Sequence, residues 1–175
     1  NVIDYLTYGG LYREVYLEVG GPAFIDDLCV RADMDGSLRC LPRCENAAGH
    51  SLRLAVCGES GEELARWEGD ADTGEVLLQV ERPALWDCEH PNLYTLRATL
   101  LREGAVADEY NVRFGFRRVE FRPEGFYLNG RRVLLRGLDR HQSWPYMGYA
   151  APARAQRLDA DILKFELGCN AVRTS

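Results

Sequence analysis

The reading of this chain turns on Phe126-Tyr127-Leu128-Asn129-Gly130-Arg131-Arg132-Val133-Leu134-Leu135-Arg136-Gly137-Leu138-Asp139-Arg140-His141 and on its continuation to Gly168-Cys169-Asn170-Ala171-Val172-Arg173-Thr174-Ser175. Phe126-Tyr127-Leu128 and Val133-Leu134-Leu135 are apolar runs of strand type. Asn129-Gly130 between them supplies the positive φ angles that a tight type I′ hairpin turn needs. Beyond the hairpin come the polar cluster Asp139-Arg140-His141-Gln142 and then Trp144-Pro145-Tyr146. Arg154 to Leu167 predicts a helix, because Leu158, Ile162 and Phe165 share one stripe that Leu163 and Leu167 widen, and Gly168 suits the left-handed position that ends it. Cys169-Asn170-Ala171-Val172 then predicts a buried parallel strand carrying Arg173 at its end. Strand, loop with His, helix, strand ending in Arg is how an α/β barrel begins a site at its C-terminal rim.

Working backwards, residues from Ala23 to about Phe116 predict strands and turns. The strands are Phe24 to Ala32, Ser37 to Cys44, Leu52 to Cys57, Leu64 to Trp67, Val76 to Val80, Leu93 to Leu101 and Ala105 to Arg113. Turns fall at Asp33-Met34-Asp35-Gly36, Glu59-Ser60-Gly61, Asp72-Thr73-Gly74 and Arg102-Glu103-Gly104. Leu52, Leu54 and Val56 share a face, as do Val76, Leu78 and Val80, and Tyr94, Leu96, Ala98 and Leu100. About seven short strands with no helical period between them predict an immunoglobulin-like β-sandwich. Trp86 and Trp67 are assigned to the sandwich core or a domain junction rather than to sugar stacking. Upstream, Leu11 to Val19 alternates with period two, with Val15, Leu17 and Val19 on one face, and predicts a further strand that Gly20-Gly21-Pro22 breaks.

Composition bounds the function. The 175 residues allow one domain and a remainder, and 46% apolar content is enough for a core. The net charge of −6 argues against a nucleic-acid partner or an anionic membrane, since both need clustered positive charge. No apolar run reaches the roughly 18 residues of a membrane helix. Of the six cysteines, Cys40, Cys44 and Cys57 sit in strand text near His50. Their spacing is not that of a zinc site, so they are assigned as small buried hydrophobes; no metal and no cofactor is expected. Disulfides and free thiols fit equally well, and free thiols accord with a cytoplasmic location. The chain starts at Asn1, without Met and in strand-rich text, and is expected to be a piece of something longer.

These residues carry a resemblance. "FYLNGRRVLLRGLDRHQ" followed after about thirty residues by "LGCNAVRTS" resembles the opening of the catalytic domain of glycoside hydrolase family 2, the β-galactosidases, β-glucuronidases and β-mannosidases. "LWDCEHPNLYTL" (Leu85 to Leu96) resembles the family's L-W-x-x-x-x-P-x-L-Y segment, and "YGGLYREVYL" (Tyr8 to Leu17) the end of its N-terminal sugar-binding domain. The resemblance implies three parts: the end of the sugar-binding domain in 1–19, the immunoglobulin-like sandwich in 20–116, and the truncated start of a TIM barrel in 117–175. The fold class is therefore mainly β, a sandwich followed by the first hairpin, helix and strand of an incomplete (β/α)8 barrel, which needs roughly 250 residues to close.

It also implies the chemistry. Family members hydrolyse β-glycosides with retention, using two glutamates on later barrel strands, so no catalytic residue is expected within this chain. Glu120, Glu124 and Glu166 are assigned to surface charge. Substrate-binding residues are expected at His141, which would hydrogen-bond sugar hydroxyls, at Arg173, which would orient the nucleophile, and at Asp139 in the pocket wall. Asp139 stands where the family usually has Asn, and Gln142 where Glu is common. The plain alternatives are an ordinary loop histidine and a structural ion pair. The parent is expected to act on β-galactosides, with a β-glucuronidase, a β-mannosidase or a free-standing carbohydrate-binding or structural (adhesion) sandwich module as alternatives. The partner expected is a carbohydrate substrate, with no nucleic acid and no membrane. The helix stripe of the tail is expected to lie on the chain's own sandwich or on a neighbouring copy, which would make a homo-oligomer through the tail.

Overall fold

The structure, a computed structural model, describes residues 10–174. Its strands are β1 (Phe24–Ala32), β2 (Ser37–Glu45), β3 (Ser51–Cys57), β4 (Glu63–Asp70), β5 (Val76–Gln79), β6 (Tyr94–Arg102) and β7 (Ala105–Phe114), then β8 (Val119–Arg122), β9 (Gly125–Leu128), β10 (Arg131–Arg132), β11 (Gly137–Arg140) and β12 (Ala171–Thr174). Helix α1 (Ala153–Asp161) runs straight into one turn of π-helix, Ile162–Glu166. Two compact units result, one of Val19–Val133, the other combining the described residues 10–18 with 134–174.

In the first unit, antiparallel sheets of order β1-β2-β5 and β4-β3-β6-β7 form the expected sandwich. The chain changes sheet between β2 and β3, between β4 and β5, and again between β5 and β6. Period-two alternation explains the packing: Leu38 and Cys40, Leu52, Leu54 and Val56, Val76 and Leu78, and Leu96, Ala98 and Leu100 all point into one core. β1 is kinked by a bulge between Ile25 and Asp27, and the Ile25 N–H freed there donates to Asp108 Oδ2 of β7 at 2.8 Å. Of the three cysteines assigned as buried hydrophobes, Cys40 and Cys57 are buried and Cys44 half-buried. Burial pushes the Cys40 thiol up to about 12, which makes it inert.

The exit from the sandwich is built on Phe116, Trp86 and Asn129. Phe116 is fully buried, edge-on to Tyr94 at 5.0 Å and to Phe114 at 5.2 Å. Its carbonyl accepts from Trp86 N–H at 2.9 Å. The Trp86 ring is half-buried, carries the Arg117 guanidinium 4.6 Å from its centre, and has its Cβ against Gly115. Trp86 thus packs where the chain passes from the sandwich into the hairpin. Asn129 takes the positive φ of 51° that the hairpin turn needs, with Gly130 at 75°. Its side chain ties the turn down by donating to Trp86 O at 3.0 Å and accepting from Arg118 N–H at 2.9 Å. Arg118 makes a bidentate pair with Asp33, both bonds 2.7 Å, in the β1–β2 turn. The bond from Arg118 holds the Asp33 carboxyl below its usual range, against an opposing push from burial, and the Met34 N–H lowers it further.

Several expectations need correction. Residues 11–19 form no strand: Leu11, Val15, Leu17 and Val19 are exposed, and none of the described residues supplies a ladder for them. Alternation makes a residue fit a strand, but pairing makes the strand. Tyr8, Gly9 and Ser175, the ends of two of the matching motifs, lie outside the described residues. The hairpin's second arm is Arg131–Arg132 rather than Val133 to Leu135, and its first arm pairs also with β8, giving a three-stranded sheet. Leu134 and Leu135 are exposed. The last strand is Ala171–Thr174, two residues later than expected. The helical stripe is not buried within this chain, since Leu158 is 48% and Phe165 77% exposed.

Candidate functional site

In the second unit the opening barrel strand is β11, Gly137–Arg140, so the polar cluster expected as loop begins on a strand. β11 and β12 pair in parallel, with Gly137 opposite Ala171, Leu138 opposite Val172, Asp139 opposite Arg173 and Arg140 opposite Thr174. Two residues shape this pair. Gly137 lets the strands approach: a Cβ there would sit 2.2 Å from the Ala171 carbonyl oxygen. Asn170 accepts from Arg136 N–H at 2.7 Å and donates to Leu134 O at 3.0 Å, holding the segment that leads into β11. Its role was not read from the sequence, although a short amide at the mouth of a strand is a fitting residue for bonding irregular backbone.

The register brings two of the expected substrate residues together. Arg173 Nη1 donates to Asp139 Oδ2 at 3.1 Å, and the side chains are 75% and 66% exposed. An ion pair so open to water contributes little, about 0–1 kcal/mol. Arg173 is therefore held loosely by an anion that replaces the neutral amide usual in the resembling family.

His141, the third expected residue, follows β11 directly and is exposed. It lines an open recess of about 380 Å³ together with Leu138, Asp139, Arg140, Ser143, Trp144, Pro145, Asp159, Ile162 and Leu163. Asp159, Ile162 and Leu163 reach it from α1 and the π turn. Gln142 is half-buried beside it. The far wall is a closed turn, in which Trp144 N–H donates to Gly148 O at 3.1 Å and Gly148 N–H to Trp144 O at 2.8 Å. Tyr146 stands at its tip, fully exposed and with a φ of 68°. Downstream the turn is fastened at Ala151, whose carbonyl accepts from Arg13 Nη1 at 2.9 Å and from Gln156 Nε2 at 3.3 Å.

The acids of this recess are Asp139 and Asp159, and each already accepts from an arginine. Asp159 Oδ2 takes Arg140 Nε at 2.7 Å, Arg140 Nη2, and Trp144 Nε1 at 3.2 Å. Asp159 thus spends one oxygen on structure, whereas Asp139 meets only the exposed Arg173 guanidinium. Glu120 pairs with Arg122 at 2.8 Å, Glu124 and Glu166 are exposed, and none of the three lines the recess. Among the described residues no three His, Cys, Asp or Glu side chains converge as metal ligands would. The recess can hydrogen-bond hydroxyl groups and present an aromatic ring and an imidazole.

Comparison with known proteins follows the same division. Residues 24–117 match "Glycosyl hydrolases family 2", and residues 119–175 match "Glycosyl hydrolases family 2, TIM barrel domain". The chain is 41% identical over 188 aligned residues to a β-galactosidase of Thermoanaerobacterium thermosulfurigenes, covering 99% of this chain and 26% of that protein. It is 33% identical to a putative β-glucuronidase of Formosa agariphila, covering 97% of this chain and 22% of that one. Among solved structures, an FMN-binding β-glucuronidase from Facaelibacterium prausnitzii L2-6 superposes with a TM-score of 0.85 at 28% identity, over 100% of this chain and 29% of that one. The chain spans about a quarter of the length of the curated relatives it matches. Sandwich, hairpin and opening barrel strands thus occur here in the order of matched family segments, and the chain belongs to the glycosyl hydrolases of family 2.

Proposed function

We propose that these residues are the immunoglobulin-like linker and the first barrel elements of a retaining glycoside hydrolase acting on β-galactosides. In that reading the acid/base and the nucleophile come from chain outside the 175 residues. Retention needs two carboxylates about 5–5.5 Å apart, and the carboxylates lining the recess are engaged by arginine. The observation that carries the reading is the β11–β12 rim, with Arg173 opposite Asp139 and His141 just beyond. His141 would hydrogen-bond sugar hydroxyls, most strongly as the ring flattens towards the oxocarbenium-like transition state. Arg173, loosely paired, would share its guanidinium with the incoming nucleophile and orient it.

A galactoside is favoured over a glucuronide. The support is relatedness: the β-galactosidase relative is 41% identical, the putative β-glucuronidase 33%. A free-standing sugar-binding sandwich is disfavoured because such a module has no use for two parallel strands joined by a helix. The test is turnover of a panel of nitrophenyl β-glycosides by the enzyme that carries this segment. The galactoside is expected to exceed the glucuronide and the mannoside in kcat/KM by about 10²-fold or more. Preference for the glucuronide would overturn the assignment.

A further inference from the structure

The pair formed by Arg140 and Asp159 differs from the exposed pair beside it. The side chains of Arg140 and Asp159 are only 16% and 22% exposed, against 75% and 66% for Arg173 and Asp139. A single oxygen, Asp159 Oδ2, gathers Arg140 Nε, Arg140 Nη2 and Trp144 Nε1. Arg140 is the last residue of β11, and Trp144 opens the turn closed by Gly148. The two anchors therefore bracket 141–143, the residues that put His141 on the recess. One helix carboxylate spans both ends of that loop and ties it to α1. Breaking a largely buried pair leaves an uncompensated charge, so the loop's position depends strongly on this one side chain.

We propose that Asp159 is a positioning residue, which sets the place of His141 at the recess by holding Arg140 and Trp144 on one carboxylate oxygen. The proposal rests on the reading of the recess as part of a sugar pocket. Asp159 itself touches neither sugar nor reacting atoms; it acts through the loop.

Two measurements on Asp159→Ala test it. The first is amide hydrogen exchange, which needs no activity. Exchange at Trp144, Met147, Gly148 and Ala150, all hydrogen-bonded in the turn, is expected to accelerate on the order of tenfold or more. Exchange in β3 and β6 is expected to stay unchanged. The second is kinetic, in the enzyme that carries the segment: kcat/KM for the preferred glycoside is expected to fall on the order of 10²-fold, the scale of a roughly 1 Å misplacement. In a His141→Ala background the same substitution is expected to add almost nothing, whereas a role in general stability would add its full effect. Asp161→Asn, exposed on the same helix, is the control and should match wild type. Should the alanine variant fail to fold, Asp159→Asn carries both comparisons, since it keeps the shape and removes the charge. Unchanged exchange in the turn, or fully additive losses with His141→Ala, would overturn the proposal. If the wild-type enzyme cleaves none of the glycosides, the functional reading falls, and the exchange measurement still decides the clamp.

Discussion

Phe116→Ala is expected to destabilise the sandwich by about 3–5 kcal/mol. The ring is fully buried and stands edge-on to Tyr94 and Phe114, so truncation removes its contacts with both and leaves a cavity that two rigid aromatics cannot fill. The Phe116 carbonyl also anchors Trp86, and Trp86 in turn anchors the hairpin through Asn129. The loss is therefore expected to loosen the exit from the sandwich as well as its core. Against a typical domain stability of about 5–15 kcal/mol this is a large fraction. Urea unfolding is the measurement: the midpoint should fall with the slope unchanged. Phe121→Ala is the contrast. That ring is 83% exposed and meets Phe126 at the surface, so its removal should stay within about 0.5 kcal/mol. Equal effects of the two substitutions would contradict the packing described.

Gly137→Val is expected to abolish activity in the enzyme that carries this segment while leaving the sandwich folded. A Cβ at this position would lie 2.2 Å from the Ala171 carbonyl oxygen and 2.6 Å from its carbon. Both neighbours are backbone, so no side chain can swing aside, and the strands must part by more than an ångström. That displacement breaks the register which places Asp139 opposite Arg173 and carries His141 to the recess. A shift of this size costs on the order of 10²-fold in rate or more. Steady-state kinetics checks the first half of the expectation, and an unshifted urea midpoint for the sandwich checks the second. Retention of more than about a tenth of wild-type kcat/KM would show that the β11–β12 register does not matter to the chemistry.

The sandwich was legible because its strands obey the period-two rule without ambiguity. Leu52, Leu54 and Val56, or Leu96, Ala98 and Leu100, have one face that can only point inward. Asn129-Gly130 was legible because few dipeptides supply two positive φ angles. Reading failed where hydrogen-bond pairing, rather than side-chain pattern, decides. Val133-Leu134-Leu135 is the more apolar run, yet the paired strands are Arg131–Arg132 before it and Gly137–Arg140 after it, both largely exposed. The same holds for Leu11 to Val19, which has strand alternation and no partner among the described residues. The π turn at Ile162–Glu166 was hidden because Leu158, Ile162 and Phe165 fit a plain α stripe, which the extra residue of a wide turn then dephases.

At the site, Asp139, His141 and Arg173 were named from their motif, and the structure adds how two of them meet. Asp159 and Asn170 were not named. A carboxylate on a helix reads as solvated charge until the fold shows which loop it holds, and Asn170 matters through backbone bonds that leave no mark in side-chain patterning.

In the proposed function these residues form scaffold and rim, and the bond-cleaving carboxylates come from further chain. The deciding measurement is an assay of the 175-residue chain alone on a nitrophenyl β-galactoside, beside the protein continued to the length of its relatives. Turnover is expected from the longer protein and none from the 175 residues; hydrolysis by the short chain, lost on substitution of Asp139 or Asp159, would overturn the proposed division of labour.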